Sequence, residues 1–220
     1  AQNTDSLKSA LPNLPYDTSR VVTLINLAQK MVDNEPGEAL KYALEALSIS
    51  RQLKYPYGTG LSFKTMADYY KGTGGVDTAI YYYTLARENF VAANATRQVL
   101  FAENGLSTCY FSKGDYERGQ KIAEEVLKKG EALGDKKIIA GAHMRIANCY
   151  SETGNHAESI NHSLQAARLY EELNDIKSLA IIYNNIASEF KDINDFKSAL
   201  DYNLRALEIK KKLDNKRSLA

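Results

Sequence analysis

Tryptophan is absent from the 220 residues, cysteine occurs twice and proline four times. No run of 18 apolar residues exists, so no stretch of the chain spans a membrane as a helix. Neither sign of charge dominates: 28 basic residues against 27 acidic give a net charge of +1. That balance leaves no electrostatic footprint for nucleic acid or for an anionic membrane surface. The two cysteines, Cys109 and Cys149, stand forty residues apart. At the same place in consecutive packed helices they would lie roughly 8–10 Å apart, too far for a disulfide, whose Cα atoms sit within about 7 Å. Two free, mostly buried thiols are expected, whatever the compartment.

Catalytic signatures are missing as well. The three histidines, His143, His156 and His162, show neither His-x-x-x-His nor His-Glu-x-x-His spacing, which argues against a zinc site. Gly72-Thr73-Gly74-Gly75 has no preceding strand and no following Lys-Ser/Thr, so it does not cradle phosphate. There is no Gly-x-Ser-x-Gly elbow and no cysteine with a dyad partner. The expectation is a chain that is not an enzyme and takes no cofactor or metal.

What is present is periodicity. Tyr183, Ile186, Ala187 and Phe190 fall on one helical face, and Ala199, Leu200, Asn203, Ala206 and Leu207 on another. Between them Asn194 tolerates a left-handed turn and Asp195 caps the next helix. Steps of forty residues back from Asn194 reach Gly154, Gly114, Gly74 and Asn34, all able to close such a turn. The boundary between units keeps the same period, at Lys54, Asn94, Gly134, Asn174 and Asp214. Fixed self-similarity of this kind marks a solenoid, whose hairpins bury their apolar faces against one another.

The order of residues within each unit resembles the tetratricopeptide repeat, aromatic-x-x-Leu-Gly/Ala-x-x-Tyr, then Ala-x-x-x-aromatic, then Ala. Phe63, Met66, Ala67, Tyr70, Ala79, Tyr83 and Ala86 show it, as do Tyr183, Ile186, Ala187, Phe190, Ala199 and Ala206. His143, Ile146, Ala147, Tyr150, Ser159 and Ala166 carry a variant with histidine at the aromatic position. The third unit departs most, with Ser107, Gly119 and Lys129 at apolar or alanine positions. HEAT and armadillo arrays share the forty-residue period. The small residues favour the tetratricopeptide order, with the surplus over its usual 34 residues placed at the ends of the second helices. The resemblance implies an all-α, right-handed α-α superhelix of about five hairpins.

On this register residues 1–17 are a lead-in containing Pro12 and Pro15, with a short helical turn at Ser6–Leu11. The repeats occupy about 18–56, 57–95, 96–135, 136–175 and 176–215, and 216–220 start a further one. Thr18 or Ser19 is placed to cap the first long helix, and Pro36 to begin the second. The last helix would leave Leu204 and Leu207 partly uncovered, an apolar surface that invites self-association or a covering element.

First helices line the concave side of such arrays. Their inward residues, counted from Gly60, Leu100, Ala140 and Ala180, mix amides, hydroxyls and apolar groups. Lys64, Asp68, Phe101, Asn104, Thr108, Phe111, Met144, Asn148, Asn184 and Ser188 are the candidates for ligand contact. Amides suit a peptide backbone because each offers a donor and an acceptor. Phe101, Phe111 and Met144 suit an apolar anchor. An ordinary solvated helix face is the plainer reading of any one of them.

More narrowly, the chain resembles the extracytoplasmic repeat regions of Bacteroidetes-type sensor histidine kinases and related repeat-containing transcriptional regulators. The stretches that carry this are Asn26-Leu27-Ala28, Asn34-Glu35-Pro36 and Ala39 to Leu47, with Leu-Gly-Asp or Leu-Asn-Asp joining later repeats. The start at Ala1-Gln2-Asn3 fits a mature end left by signal-peptide cleavage, although a trimmed chain reads the same. The resemblance implies a periplasmic sensor module that binds a protein, a peptide or its own second copy. The alternative is a cytoplasmic adaptor for signalling peptides.

Overall fold

The computed structural model describes residues 4–32 and 34–218, with side chains followed as far as Lys212. Among the described residues all regular structure is helical, as expected. A short α1 (Thr4–Ala10) and a 3-10 turn (Leu11–Asn13) lead into α2 (Thr18–Met31) and α3 (Pro36–Gln52). The alternation continues through α4 (Pro56–Gly72), α5 (Val76–Ala92), α6 (Thr96–Ser112), α7 (Tyr116–Leu133), α8 (Lys136–Glu152), α9 (His156–Glu172), α10 (Ile176–Asp192) and α11 (Phe196–Ser218). First and second helices are matched in length: α4, α5, α8 and α9 have 17 residues each.

The chain forms two compact units that divide at Lys113 and Gly114, at the turn of the third repeat, the one with the loosest sequence pattern. In the first unit, hairpins α2/α3 and α4/α5 stack and α6 packs on α5. In the second, α7 packs on α8, and hairpins α8/α9 and α10/α11 stack through α9 and α10.

The turns from Lys54 onward share one device, a residue of positive φ that ends the preceding helix. Gly74, Gly114, Gly154 and Asn194 have positive φ within hairpins, and Lys54, Asn94, Gly134 and Asn174 have it between them. The amide of Lys54 bonds the carbonyl of Arg51 at 3.1 Å and that of Tyr55 bonds Ser50 at 2.8 Å, the paired bonds of a Schellman motif. The pattern repeats at Asn174 and Asp175, and at Asn194 and Asp195. The aspartate that follows then opens the next helix: Asp135, Asp175 and Asp195 accept from the amides of Ile138, Ser178 and Ser198 at 3.1–3.2 Å. The first long helix is capped by Asp17, extended at φ −135°, which accepts from Ser19 at 2.8 Å. Thr18 and Ser19, the expected caps, lie one and two residues further on, inside the helix.

Small residues set the helix contacts. Ala67, Ala147 and Ala187 are all at most 2% exposed, as their place in the pattern requires. Beside them the α4/α5 and α10/α11 hairpins each hold an aromatic trio. Tyr82 stacks on Phe63 and Tyr70, and Tyr202 on Phe190 while touching Tyr183. In the fourth repeat the equivalent residues are His143, His162 and Tyr150. Tyr150 stacks on His162, whose Nδ1 hydrogen-bonds Nδ1 of His143 at 2.8 Å. Cys109 and Cys149 are buried free thiols, and burial pushes each up to about 11.

The final helix departs from the period. Its backbone stays helical through Asp214, where the other repeats turn, and runs on to Ser218. Leu204 and Leu207 are exposed, together with Phe196 and Leu200. The expected start of a further repeat at 216–220 falls outside the residues whose side chains are described.

Candidate functional site

The first unit carries a cleft of about 610 Å³ between the first helices of its two hairpins. Gln29 and Val32 border it from α2, Pro36 closes one end, and Lys64, Asp68 and Lys71 come from α4. The α4 residues share a face because they are three or four apart on one helix. Lys64 Nζ lies 2.7 Å from one Asp68 oxygen and Lys71 Nζ lies 3.4 Å from the other. The Tyr83 hydroxyl donates to the same carboxylate from α5. Burial alone would raise the Asp68 carboxyl. The two ammonium groups and the hydrogen bonds from Lys64 and Tyr83 outweigh it and hold the group below its ordinary value. The cleft therefore presents a preorganised, net cationic triad with an amide opposite.

On α6 the candidates form a second cluster. The Arg97 guanidinium lies over the Phe101 ring, 5.0 Å from its centre. Thr108 donates to the main-chain carbonyl of Asn104 at 2.9 Å, so its hydroxyl proton is already used. Asn104 is half-buried, and its side-chain oxygen is shielded from solvent with no donor in reach. A buried unsatisfied carbonyl costs about 1–3 kcal/mol and asks for an explanation. Phe111 is half-buried near the end of the helix.

In the second unit the outcome differs between residues. Asn148 on α8 accepts from the Asn185 side chain on α10 at 3.2 Å, so the amide that meets it is the neighbour of Asn184. Asn184 itself is half-buried and Ser188 exposed. Met144 packs against the core cluster that contains Ile182, Tyr183 and Ile186, so most of its surface serves the fold. His156 Nδ1 lies 2.9 Å from the buried Glu189, tying the start of α9 to α10.

The structure thus joins Lys64 with Asp68, and Asn104 with Thr108. It gives Asn148 a partner outside the candidate set. Gln29 and Val32 of the first cleft were not among the candidates, because the inward register was counted only from the second repeat. Their signal was available: Gln29 stands forty residues before Tyr69, which borders the same cleft. Among the described residues no group of three or more histidine, cysteine, aspartate or glutamate side chains is placed to hold a metal ion. No described helix is long and apolar enough to cross a membrane.

Residues 138–212 match the tetratricopeptide repeat family. No curated protein sequence matches the chain. Solved structures share its fold at low identity. BtubC (BKLC) from P. vanneervenii superposes with a TM-score of 0.74 at 19% identity, over 96% of this chain and 89% of that one. A Rap protein complexed with Competence and Sporulation Factor gives 0.75 at 20%, over 96% of this chain and 58% of that one. NprR in complex with its cognate peptide NprX gives 0.75 at 18%, over 95% of this chain and 61% of that one. The fold is that of a tetratricopeptide-type hairpin array.

Proposed function

We propose that this chain is a binding scaffold that receives an extended peptide, or an exposed segment of a protein, on the faces of its first helices. The observation that carries the proposal is the Asn104 side-chain carbonyl, buried on α6 with no donor. An outward turn of this half-buried side chain would bring the oxygen to a main-chain N–H of a bound peptide and the amide nitrogen to the next carbonyl. Exposed Gln29 and the Lys64–Asp68–Lys71 triad would contribute polar contacts to the same type of surface. Rap and NprR, which share the fold, were each solved with a bound factor or peptide, and this supports the reading.

The finer proposal is that the scaffold is the periplasmic sensor module of a membrane-bound signalling protein, a histidine kinase or a transcriptional regulator. It rests on the sequence resemblance of the first repeat and its neighbours. The alternative is a cytoplasmic adaptor for signalling peptides; the likeness to NprR, a quorum sensor solved with its cognate peptide, supports peptide binding in either reading. A reporter fused to the native protein reads the compartment directly. The proposal also includes self-association through the exposed Phe196, Leu200, Leu204 and Leu207 of α11, which Leu204→Ser should abolish in light scattering.

The test of binding is selection from a displayed random-peptide library. Selected peptides should lose at least about tenfold in affinity, equal to about 1.4 kcal/mol, when Asn104, Asn148 and Asn184 are replaced together by alanine. Undiminished binding to a folded triple variant would move recognition off the first helices.

A further inference from the structure

A second cleft, of about 460 Å³, lies at the other end of α4 from the first. Arg51 from the end of α3, Lys54 and Tyr55 from the turn, Pro56 and Phe63 from α4 and Tyr81 from α5 border it. Three features set it apart from ordinary surface.

The first is charge. Arg51 and Lys54 are exposed, and neither pairs with a carboxylate among the described residues. Among the described residues none that lines the cleft is acidic. The second is its aromatic wall. The Arg51 guanidinium lies over the Phe63 ring, 5.5 Å from its centre. Tyr81 is 60% exposed, an unusual placement for a large ring in mid-helix. Tyr55 is held in place from below: a Cβ on Gly58 would come within 2.5 Å of its ring and 2.7 Å of the Ser50 hydroxyl. The third is backbone conformation. Lys54 has φ +50°, where Asn94, Gly134 and Asn174 stand in the equivalent turns. Asparagine and glycine adopt this region readily, and lysine does so at a cost. A residue held against its preference is a pointer to function.

The repeat itself does not call for these residues. Steps of 120 residues from Arg51, Lys54, Tyr55 and Tyr81 reach Glu171, Asn174, Asp175 and Asp201. The corresponding surface of the second unit is therefore acidic where this one is basic and aromatic.

We infer that this cleft binds an acidic peptide segment bearing an aromatic side chain, with the ring against Tyr55 and Tyr81 and the carboxylates on Arg51 and Lys54. Aromatic walls accept a ring in offset or edge-on contact. Free cations give the flanking carboxylates charge-assisted hydrogen bonds. The site is separate from the first-helix faces and does not depend on their role.

The probe is acetyl-Glu-Glu-Trp-Glu-Glu-amide, whose tryptophan emission is unobscured because this chain has no tryptophan. Saturable binding that weakens as salt is added is the expected result. Arg51→Gln with Lys54→Asn should weaken it at least tenfold. Lys54→Asn alone should weaken binding while leaving the unfolding midpoint unchanged or higher, since asparagine suits that turn. Asn104→Ala should leave this peptide's affinity unchanged. The inference is overturned by absence of saturable binding below about 1 mM. It is equally overturned by equal binding of acetyl-Lys-Lys-Trp-Lys-Lys-amide. Loss of binding in Asn104→Ala rather than in the Arg51/Lys54 variant would place the peptide on the first-helix face and also overturn it.

Discussion

Gly105→Ala should destabilise the first unit, although alanine is the better helix former. Gly105 lies inside α6, and glycine in a helix interior costs about 1 kcal/mol relative to alanine. Propensity alone therefore predicts a gain. Packing predicts the reverse. A Cβ at this position would sit 2.3 Å from Cε1 and 2.4 Å from Cζ of Tyr83. That ring is 1% exposed, and its hydroxyl is engaged by Asp68. It cannot swing aside as the tip of a flexible chain would. Overpacking of this kind costs about 1–3 kcal/mol, and displacing the ring also weakens a hydrogen bond to a charged partner, about 1.5–3 kcal/mol. The sum exceeds the propensity gain, so the net loss should be about 1.5–5 kcal/mol.

Far-UV circular dichroism in urea reads the change, since the chain is helical and has no tryptophan to follow. Gly37→Ala is the control, because nothing lies within 4 Å of its added Cβ; it should be neutral or gain a few tenths of a kcal/mol. In a Tyr83→Ala background the Gly105→Ala change should cost nothing. A Gly105→Ala variant as stable as the parent, or an undiminished penalty once the Tyr83 ring is gone, would refute the argument.

Ala187→Leu should cost about 1–3 kcal/mol in the same assay, because Ala187 is 2% exposed in α10. Acid should weaken the fourth hairpin: burial, with the neighbouring His162 ring, holds His143 down to about 4, and burial lowers His162 as well. Both are depressed below the ordinary value of 6.5, so the unfolded chain takes up protons first. Stability should be full above about 6.5 and fall as the pH drops towards 4. His143→Phe combined with His162→Tyr, which recreates the second repeat's pairing, should flatten that slope in thermal midpoints. Cys109 and Cys149 should resist a thiol reagent at pH 8 until denaturant is added, since burial raises both thiols to about 11; prompt labelling of the native chain would contradict their placement.

The array was legible because its determinants are local and repeat. Ala67, Ala147 and Ala187 recur where helices touch, and a residue tolerant of positive φ followed by aspartate recurs where helices turn. The cap at Asp17 is not legible in the sequence because three capping residues stand in a row, and only the extended backbone at Asp17 decides among them. The candidate surface was legible less evenly. The inward spacing brought Lys64 to Asp68, four residues on along one helix. It could not show that Asn148 meets Asn185, since that depends on how α8 and α10 cross. Nor could it show that Met144 would be drawn into packing. The His143–His162 contact spans a hairpin. It becomes readable only when positions 143 and 162 are aligned with Phe63 and Tyr82, and with Tyr183 and Tyr202. The basic, aromatic cleft has no signature in the inward spacing of the first helices, since Lys54 lies in a turn and Tyr81 on a second helix.

If a peptide is received on the first helices, Asn104 reports on it directly. Its side-chain amide gives its own pair of ¹⁵N–¹H resonances, which can be followed as a library-selected peptide is added to the whole chain. A saturable shift of that pair at the peptide's own dissociation constant is expected, as the orphaned carbonyl gains a donor. Saturable binding that leaves the Asn104 side-chain amide unmoved would contradict reception of the peptide on the first helices.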